Sequence, residues 1–521
     1  MSDLIIYKDL LIDLFNLSDA DIHSIRHENQ NGKTLIFVTL VSHPFDCPSC
    51  GNSHIKIKGY VDKTITHSAL TDRSCIIRYR ARRYVCSVCG TTYYERNPFV
   101  FNRMKISIFT VQRILEDLKS YHETFSSVAR RYHISPTSVI SIFEHHANIP
   151  RRPLPRHLNF DEVYAFRSEH SKYACVLLDH DDQIPIDILP SRRLDYLKDY
   201  FFKIPLEERR KVEMCCFDMY DPYRTICQKA FPDAIMVVDH FHVIQELNRH
   251  LTQIRIAAMK RVHRQREIAK KEITHDQEAH KDFRRYDRQY YVLKKFNWLL
   301  FKKEDDPKYF SEAAEAKYNV KFQKEMDYKD LLDEILKSDE ELKEAYQLKN
   351  EVTYFYEHAT VGTALEKLNT LIQWFLNARS QNFRIFAKTL MKWKKEIINS
   401  FIVLKQEYYI DADTGEEKLQ EKKMTNAIIE NKNAIIKCVK KNANGYTNWE
   451  RFRNRGFVKK KSGVCQEKCV SFFVSFFHKC KSILLSTDLS SPLLIAKAEI
   501  ALAIALFRFS SHLFRYLLIR S

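Results

Sequence analysis

The sequence predicts a multidomain protein of mixed α+β and α/β class, with a small metal-binding module, an α/β domain and a long helical segment. Three observations support this prediction. Two Cys-x-x-Cys motifs lie in the first hundred residues. Residues 158–245 alternate short apolar strand candidates with helix candidates, which is an α/β order. Residues 246–400 are rich in Lys, Glu, Leu and Ala at helical spacing.

The composition indicates a folded, basic protein. Hydrophobic residues make up 45% of the 521 residues, which is enough for packed cores and excludes a disordered chain. The formal net charge is +18. Such an excess favours a polyanionic partner such as nucleic acid, with an anionic membrane surface as the weaker alternative.

The sequence predicts neither a secretory signal peptide nor a membrane span. Its first residues are acidic where a signal peptide is basic, and no uncharged apolar stretch is long enough to span a bilayer. We therefore expect a cytoplasmic protein with no membrane partner. In a reducing compartment, spaced cysteines hold a metal more often than they form disulfides.

The two Cys-x-x-Cys motifs predict a structural zinc site. Cys47 and Cys50 form the first pair, Cys86 and Cys89 form the second, and a glycine follows each pair. Tetrahedral zinc takes four thiolates, and two such motifs supply them in pairs. The alternative is two pairs of reduced, packed cysteines without metal.

Residues 128–139 predict a helix-turn-helix. Ala129 allows two helices to approach, and Ser135 followed by Pro136 predicts the start of the second helix. His133 occupies the turn position at which glycine is usual. An ordinary pair of helices is the alternative.

The N-terminal half also supplies cationic side chains for DNA. The alternating stretch from residue 73 to 84 predicts a strand with a basic face. Together with the helix-turn-helix it gives six candidate DNA contacts: Arg78, Arg80, Arg82, Arg83, Arg130 and Arg131.

Three predicted strands end in acids. Asp161, Asp218 and Asp239 each follow an apolar run. Carboxylates at the ends of neighbouring buried strands can converge on one crevice and bind Mg²⁺, and two ions suit phosphodiester cleavage. The alternative is that each acid is a turn or cap residue, which is common at strand ends.

From about residue 45 to 455 the chain resembles the ISL-three family of prokaryotic insertion-sequence transposases. Besides the cysteine motifs and the helix-turn-helix, the matching elements are Arg82-Arg83-Tyr84, Asp161-Glu162, Phe217-Asp218-Met219, Phe231-Pro232, Asp239-His240-Phe241-His242, Trp298-Leu299-Leu300, Ala345-Tyr346, Glu430-Asn431, Gly445-Tyr446 and Phe452-Arg453.

The resemblance implies a ribonuclease-H-like catalytic core interrupted by an all-helical insertion. It implies an Asp-Asp-Glu triad of Asp161, Asp218 and Glu430 that binds two Mg²⁺ ions. Glu430 lies in a predicted amphipathic helix and shares one polar face with Asn433 and Lys437. Lys437, together with Arg453 further along the chain, is expected to bind DNA phosphates.

These observations divide the chain into seven segments. They are an N-terminal helix and hairpin (1–40), the zinc module (41–100), the helix-turn-helix with a basic linker (101–157), the first part of the core (158–245), the helical insertion (246–400), the second part of the core (401–457) and an atypical tail (458–521). We expect the tail to take no part in the active site.

The predicted function is that of a DNA transposase. It would bind terminal inverted repeats as a homo-oligomer, cleave the strand at each end and join the freed 3′ hydroxyl to target DNA. The rival hypothesis is a non-catalytic DNA-binding protein derived from such an enzyme. A zinc-dependent hydrolase is a poor third, because four cysteines leave no open position on the metal.

Overall fold

The computed structural model describes residues 12, 14–15, 17–43, 45–68, 74–101, 104–164, 171–272, 277–311, 315–410 and 415–457. The predicted tail, 458–521, and most of the predicted N-terminal helix lie outside these residues.

The N-terminal part is a five-stranded sheet with the order β1-β2-β4-β3 and β5 beside β4. The strands are β1 (Ile22–Gln30), β2 (Lys33–Leu40), β3 (Ile55–Thr66), β4 (Ser74–Cys86) and β5 (Thr92–Tyr94). Asn31 and Gly32 both adopt positive φ at the β1–β2 turn, as a tight hairpin requires. Ile77 and Tyr79 of β4 are fully buried in the core of this sheet.

Three helices follow: α1 (Ile108–Asp117), α2 (Phe125–Arg131) and α3 (Pro136–His146). We call residues 104–147 the three-helix unit. Ser135 caps α3 by accepting a hydrogen bond from the backbone N–H of Ser138, at 3.1 Å. His133 lies between α2 and α3 with φ of +54°, the left-handed conformation that glycine favours. Val128 and Phe143 are buried between the helices.

The second sheet has the order β10-β9-β6-β7-β8. Its strands are β6 (His157–Val163), β7 (Ala174–Asp179), β8 (Ile184–Leu189), β9 (Met214–Phe217) and β10 (Ile235–Val238). β6, β7 and β8 pair antiparallel, whereas β6–β9 and β9–β10 pair parallel. The strands therefore match the predicted α/β order of residues 158–245.

Helices cover both faces of this sheet. On the face that carries Phe160 lie α4 (Leu194–Phe201), α5 (Leu206–Arg209) and α6 (Asp221–Ala230). The opposite face is covered by α15 (Ala427–Asn442) and α16 (Trp449–Phe457), whose Ile436 and Phe452 pack against Ile188. The sheet is thus buried between two layers, and its strands are apolar on both sides.

The insertion between β10 and α15 is mostly helical. Its helices are α7 (His240–Glu272), α8 (Gln277–Lys295), α9 (Pro307–Phe310), α10 (Tyr328–Leu336), α11 (Glu340–His358), α12 (Ala364–Leu376), α13 (Gln381–Lys392) and α14 (Lys394–Asn399). Their apolar side chains extend the core of the second sheet. The prediction of an all-helical insertion is wrong, because β11 (Lys317–Asn319) and β12 (Lys324–Met326) form a small hairpin.

A second hairpin leads into α15. Its strands are β13 (Val403–Ile410) and β14 (Glu417–Lys423). The sequence predicted no strand here, because β14 has one apolar residue, Leu419, and the apolar residues of β13 are grouped at its two ends and do not alternate. Side chains on both faces of this ribbon are largely exposed, so no buried face marks it in the sequence.

Candidate active site and DNA-facing residues

The parallel pairing of β6 and β9 brings two acids to the same level of the sheet. Asn159 pairs with Cys216 in the register of these strands. Asp161 and Asp218 each follow two residues later, so they stand beside each other. Asp161 is 8% exposed and Asp218 is half-buried. Two of the three predicted catalytic residues are therefore neighbours, one within the central strand β6 and one directly after β9.

Burial dominates the electrostatics of this pair. Burial, with a further contribution from the charge of Asp218, raises the pKa of Asp161 to about 7. Burial, with the charge of Glu162, raises the pKa of Asp218 to about 7 as well. Each carboxylate is thus destabilised in its charged form, which a bound cation would reverse.

A network of asparagines fastens the start of α15 to β6. The amide of Asn159 donates to the backbone oxygen of Thr425 at 2.7 Å and to Oδ1 of Asn426 at 2.6 Å. Asn426 donates in turn to the backbone oxygen of Phe160 at 2.9 Å. Asn159 and Asn426 are both fully buried. This network fixes the position of the helix that carries Glu430.

Asn433 is the residue of α15 that touches the acids. Its Nδ2 donates to Oδ2 of Asp161 at 2.7 Å, and its side chain is 4% exposed. The other oxygen of Asp161, Oδ1, accepts from the backbone N–H of Glu162 at 2.7 Å. Both oxygens of Asp161 are therefore held in a fixed orientation.

Glu430 lies one helical turn before Asn433 and is exposed, as is Lys437. Glu430, Asp161 and Asp218 do not approach one another within 4.8 Å as a group. Within the described part of the chain, only Cys47, Cys50, Cys86 and Cys89 meet that distance. The helix that carries Glu430 reaches Asp161 through Asn433.

Asp239 belongs to the structural surroundings of the site. It is 1% exposed, and its Oδ1 accepts a hydrogen bond from Oγ1 of Thr425 at 3.2 Å. Nδ1 of His240 lies 3.5 Å from the same oxygen. Burial opposes its ionisation, but interactions with His240, His242 and Thr425 outweigh burial and lower its pKa. The partners of Asp239 therefore stabilise its charged form, whereas burial destabilises the charged forms of Asp161 and Asp218.

Glu162 and Arg192 form an ion pair next to Asp218. The guanidinium of Arg192 also lies over the rings of Tyr173 and Tyr220, at 4.4 and 4.5 Å from their centroids. The pair places a fixed positive group near the acids. Glu162 could be found in the sequence from its place beside Asp161, whereas nothing in the sequence marks Arg192.

The four predicted cysteines converge. Sγ of Cys47 and Sγ of Cys89 are 3.5 Å apart, and Sγ of Cys50 and Sγ of Cys86 are 3.6 Å apart. Tetrahedral Zn–S bonds of about 2.3 Å require sulfurs at roughly these separations. The glycines after the two pairs, Gly51 and Gly90, adopt positive φ, which closes each knuckle. The module is a zinc ribbon with a complete set of four ligands.

Two family models match the chain. One, described as transposase, matches residues 158–406, and the other, described as the zinc-finger of transposase IS204/IS1001/IS1096/IS1165, matches residues 43–89. The chain belongs to the ISL-three family of transposases. It is also similar to the transposase for insertion sequence element IS1001 of Bordetella parapertussis, at 20% identity over 426 residues that cover 81% of this chain and 90% of that protein.

Membership of this family makes the chain a transposase of an insertion sequence, and the matched regions contain the four cysteines and both aspartates. Glu430 lies beyond the matched segment, on a helix that returns to the sheet after the insertion. None of the described helices has the length and apolar character needed to cross a bilayer.

Three of the predicted DNA-binding arginines remain accessible. Arg78 and Arg80 are exposed on β4, and Arg130 is exposed at the end of α2. The guanidinium of Arg80 lies 4.5 Å over the ring of Tyr60, which is itself 49% exposed. Arg83 is half-buried, and its Nη2 donates to Oγ1 of Thr92 at 3.2 Å.

Arg82 was predicted to contact DNA, and the structure corrects this. Its side chain is 7% exposed, and its Nη1 donates to Oε2 of Glu95 at 3.1 Å. The backbone N–H of Arg82 and the hydroxyl of Tyr79 both donate to Oε1 of Glu95, at 2.7 Å each. Arg82 therefore neutralises a buried carboxylate inside the N-terminal sheet.

Arg453 likewise forms its hydrogen bonds within the protein. Its Nε donates to Oδ1 of Asp187 at 2.7 Å, and its Nη1 donates to the backbone oxygen of Ile149 at 2.7 Å. Asp187 is 4% exposed, so this is an internal ion pair and not a phosphate contact. Arg131 is paired with Asp117 at 2.6 Å and with Glu123, which leaves it partly available.

Proposed function

We propose that the chain is a DNA transposase that binds the terminal inverted repeats of its element and catalyses metal-dependent strand cleavage and strand transfer. The observation that carries this proposal is the pair Asp161 and Asp218. The buried carboxylate of Asp161 and the half-buried carboxylate of Asp218 stand side by side, and no ammonium or guanidinium group in the described residues is bonded to either. Such a pair suits divalent cations.

The donor atoms fit magnesium. Oδ1 of Asp218 and Oδ1 of Asn433 are buried and have no hydrogen-bond partner within the described ranges. Carboxylate and amide oxygens are the ligands that Mg²⁺ prefers, and a buried oxygen without a partner is costly unless a cation or donor reaches it. Asp161, Asp218 and Glu430 would hold the ions, two being expected. Bound there, Mg²⁺ would supply Lewis-acid activation of the attacking oxygen and stabilise the leaving oxygen.

The side chains of the protein orient the reaction. Asn433 fixes the carboxylate of Asp161, and the Glu162–Arg192 pair holds a positive group beside Asp218. Lys437 is exposed on the helix that carries Glu430 and suits a phosphate contact. Strand transfer uses the freed 3′ hydroxyl of DNA, so no serine or tyrosine nucleophile of the chain is required.

The sheet order supports a ribonuclease-H-like core. Three antiparallel strands are followed by two parallel ones, and the acids stand on β6, the central strand, and directly after its parallel neighbour β9. The helix with Glu430 is anchored to β6 by Asn426 after a long insertion. We base the proposal of a ribonuclease-H-like core on this strand order and on the return of α15 to β6.

DNA binding is assigned to the N-terminal half. The turn at His133 and the capped start of α3 support a helix-turn-helix, with α3 as the helix that reads bases. Arg78, Arg80 and Arg130 provide exposed charges for phosphates. The zinc ion would hold the zinc ribbon rigid. We expect a homo-oligomer, because two element ends must be joined in one reaction.

The test separates this enzyme from a DNA-binding protein without catalysis. DNA carrying the two ends of the element is incubated with wild-type protein and Mg²⁺ or Mn²⁺. Asp161→Asn should bind the ends like wild type and lose cleavage, because it keeps the shape and removes a charged ligand. Asp182→Asn, in the exposed turn between β7 and β8, is the matched control and should cleave normally. Wild-type protein that binds but never nicks either end would favour the binding module.

A further inference from the structure

The end of the described chain is packed against the three-helix unit. We call residues 443–457 the C-terminal strut. Tyr446 of the strut lies against Phe125 of α2, with ring centroids 6.5 Å apart, and against Phe452 of α16 at 5.4 Å. Tyr446 thereby belongs to the apolar cluster of the three-helix unit and to the cluster beneath the second sheet. The strut joins the two cores.

Arg455 makes the central polar contact of this interface. Its side chain is 2% exposed, and its guanidinium donates to three backbone oxygens, of Leu118, of Ser120 at 3.2 Å and of Glu123 at 2.7 Å. Leu118 caps the C-terminal end of α1, where helix carbonyls carry partial negative charge, and Ser120 and Glu123 lie in the connection between α1 and α2. A buried guanidinium bonded to three carbonyls of one segment fixes both position and orientation, and its removal would leave the carbonyls of Leu118 and Glu123 without this donor.

The strut is also fixed to the catalytic side. Gly456 approaches β8 so closely that a Cβ atom added to it would stand 2.8 Å from Cδ1 of Ile188. Arg453 binds Asp187 of the same strand at 2.7 Å. Arg451 adds a partly exposed ion pair at the rim, with Nη2 at 2.7 Å from Oε1 of Glu144 on α3. One short helix therefore contacts the sheet with one face and the three-helix unit with the other.

We propose that Arg455 is a positioning residue that holds the three-helix unit at one fixed place against the catalytic core. The chain from α15 to α16 connects Glu430 directly to this contact. DNA bound by the three-helix unit would then always present the same phosphodiester bond to the acids. The inference rests on the proposed function, because it assumes that the three-helix unit binds DNA and that the acids cut it.

The experiment compares full-length wild type with Arg455→Met, which keeps an unbranched side chain but removes the guanidinium. Arg451→Met is the matched control at the exposed rim. Arg455→Met should speed amide hydrogen exchange in residues 118–124 and keep affinity for the element ends within a few-fold of wild type. Its cleavage should fall about 100-fold and spread over several nucleotides, as expected when the substrate is misplaced. Arg451→Met should change neither.

A hydroxyl-radical footprint of the bound end gives a readout without catalysis. In Arg455→Met, protection next to the cleavage position should be lost, while protection over the sequence read by the three-helix unit remains. The inference would be overturned if Arg455→Met showed the same amide hydrogen exchange, the same footprint or the same cleavage position as wild type. Loss of all end binding in both Arg455→Met and Arg455→Lys would also overturn it, because Arg455 would then maintain the unit's fold. Absence of cleavage by wild type counts against the proposed function alone, and the footprint still decides the positioning role.

Discussion

The side-chain amide of Asn433 donates a 2.7 Å hydrogen bond to Oδ2 of Asp161, across 272 positions of sequence. The bond joins the helix after the insertion to the central strand of the sheet. It leaves Oδ1 of Asn433 buried and without a hydrogen-bond partner in the described residues. Asn433 is therefore placed to orient Asp161 and to offer a second oxygen to a metal ion or to its water.

Replacing Asn433 should weaken metal-dependent cleavage without affecting DNA binding. Asn433→Ala frees the carboxylate of Asp161, and loss of such a supporting hydrogen bond costs about 10–100-fold in metal affinity or activity. The measurement is the Mg²⁺ concentration required for half-maximal cleavage, together with Mn²⁺ binding followed by calorimetry. Asn431→Ala, exposed on the same helix, is the control. If both variants required the same Mg²⁺ concentration, Asn433 would have no role in metal binding.

Arg80 and Arg82 should behave oppositely when each is changed to alanine. Arg80→Ala removes an exposed cation, so end binding should weaken and the salt slope should fall by about one. Arg82→Ala leaves Glu95 buried without its cation and should cost about 3–5 kcal/mol of stability. Denaturant unfolding and binding titrations at several salt concentrations separate the two effects. If Arg82→Ala remained folded and its DNA binding depended less on salt than that of wild type, Arg82 would be a DNA contact after all.

The zinc ribbon should contain one zinc ion per chain. Cys50→Ser should lose the metal and unfold the module locally, since four thiolates are needed to close the site. The second sheet, which shares no ligand with the module, should keep its thermal transition. Metal content measured on purified protein checks the stoichiometry. Cys438→Ser, outside the cluster, should retain the full zinc content.

Stability of the N-terminal part should decline below pH 6.5. His67 is fully buried between the rings of Phe15 and Phe109, and burial lowers its pKa to about 4. Between these pH values the unfolded chain binds a proton that the folded chain excludes, so the free energy of unfolding falls as pH falls. The loss approaches about 3 kcal/mol near pH 4.

The variant His67→Gln tests this assignment. Glutamine does not titrate and retains a group that can bond Oγ of Ser107, which lies 2.9 Å from Nδ1 of His67. Unfolding by urea at pH 7, 6 and 5 should show a shallower decline for the variant than for wild type. Zinc release at acid pH affects both proteins alike, so the difference between the two curves reports His67. Parallel curves would assign the decline to other groups.

Much of the architecture was predictable because its signals are local. Cys-x-x-Cys pairs, the Asn31-Gly32 turn and the apolar runs before Asp161 and Asp218 depend on a few adjacent residues. These features predicted the zinc ribbon and the order of strands and helices through residue 245. The hairpin of β13 and β14 was missed, because its strands bury no face and so show no apolar alternation.

Which side chains meet was decided by tertiary structure. In β4 the alternation of buried residues changes phase between Ala81 and Arg82, near an irregular register of β3 between Ile57 and Gly59. Sequence alternation assumes an unbroken pleat, so it assigned Arg82 to the same face as Arg80. The polar face of α15 predicted Glu430, Asn433 and Lys437 together, but only packing against β6 selected Asn433 as the partner of Asp161. Alternation and helical period define faces, whereas contacts between distant segments determine what each face touches.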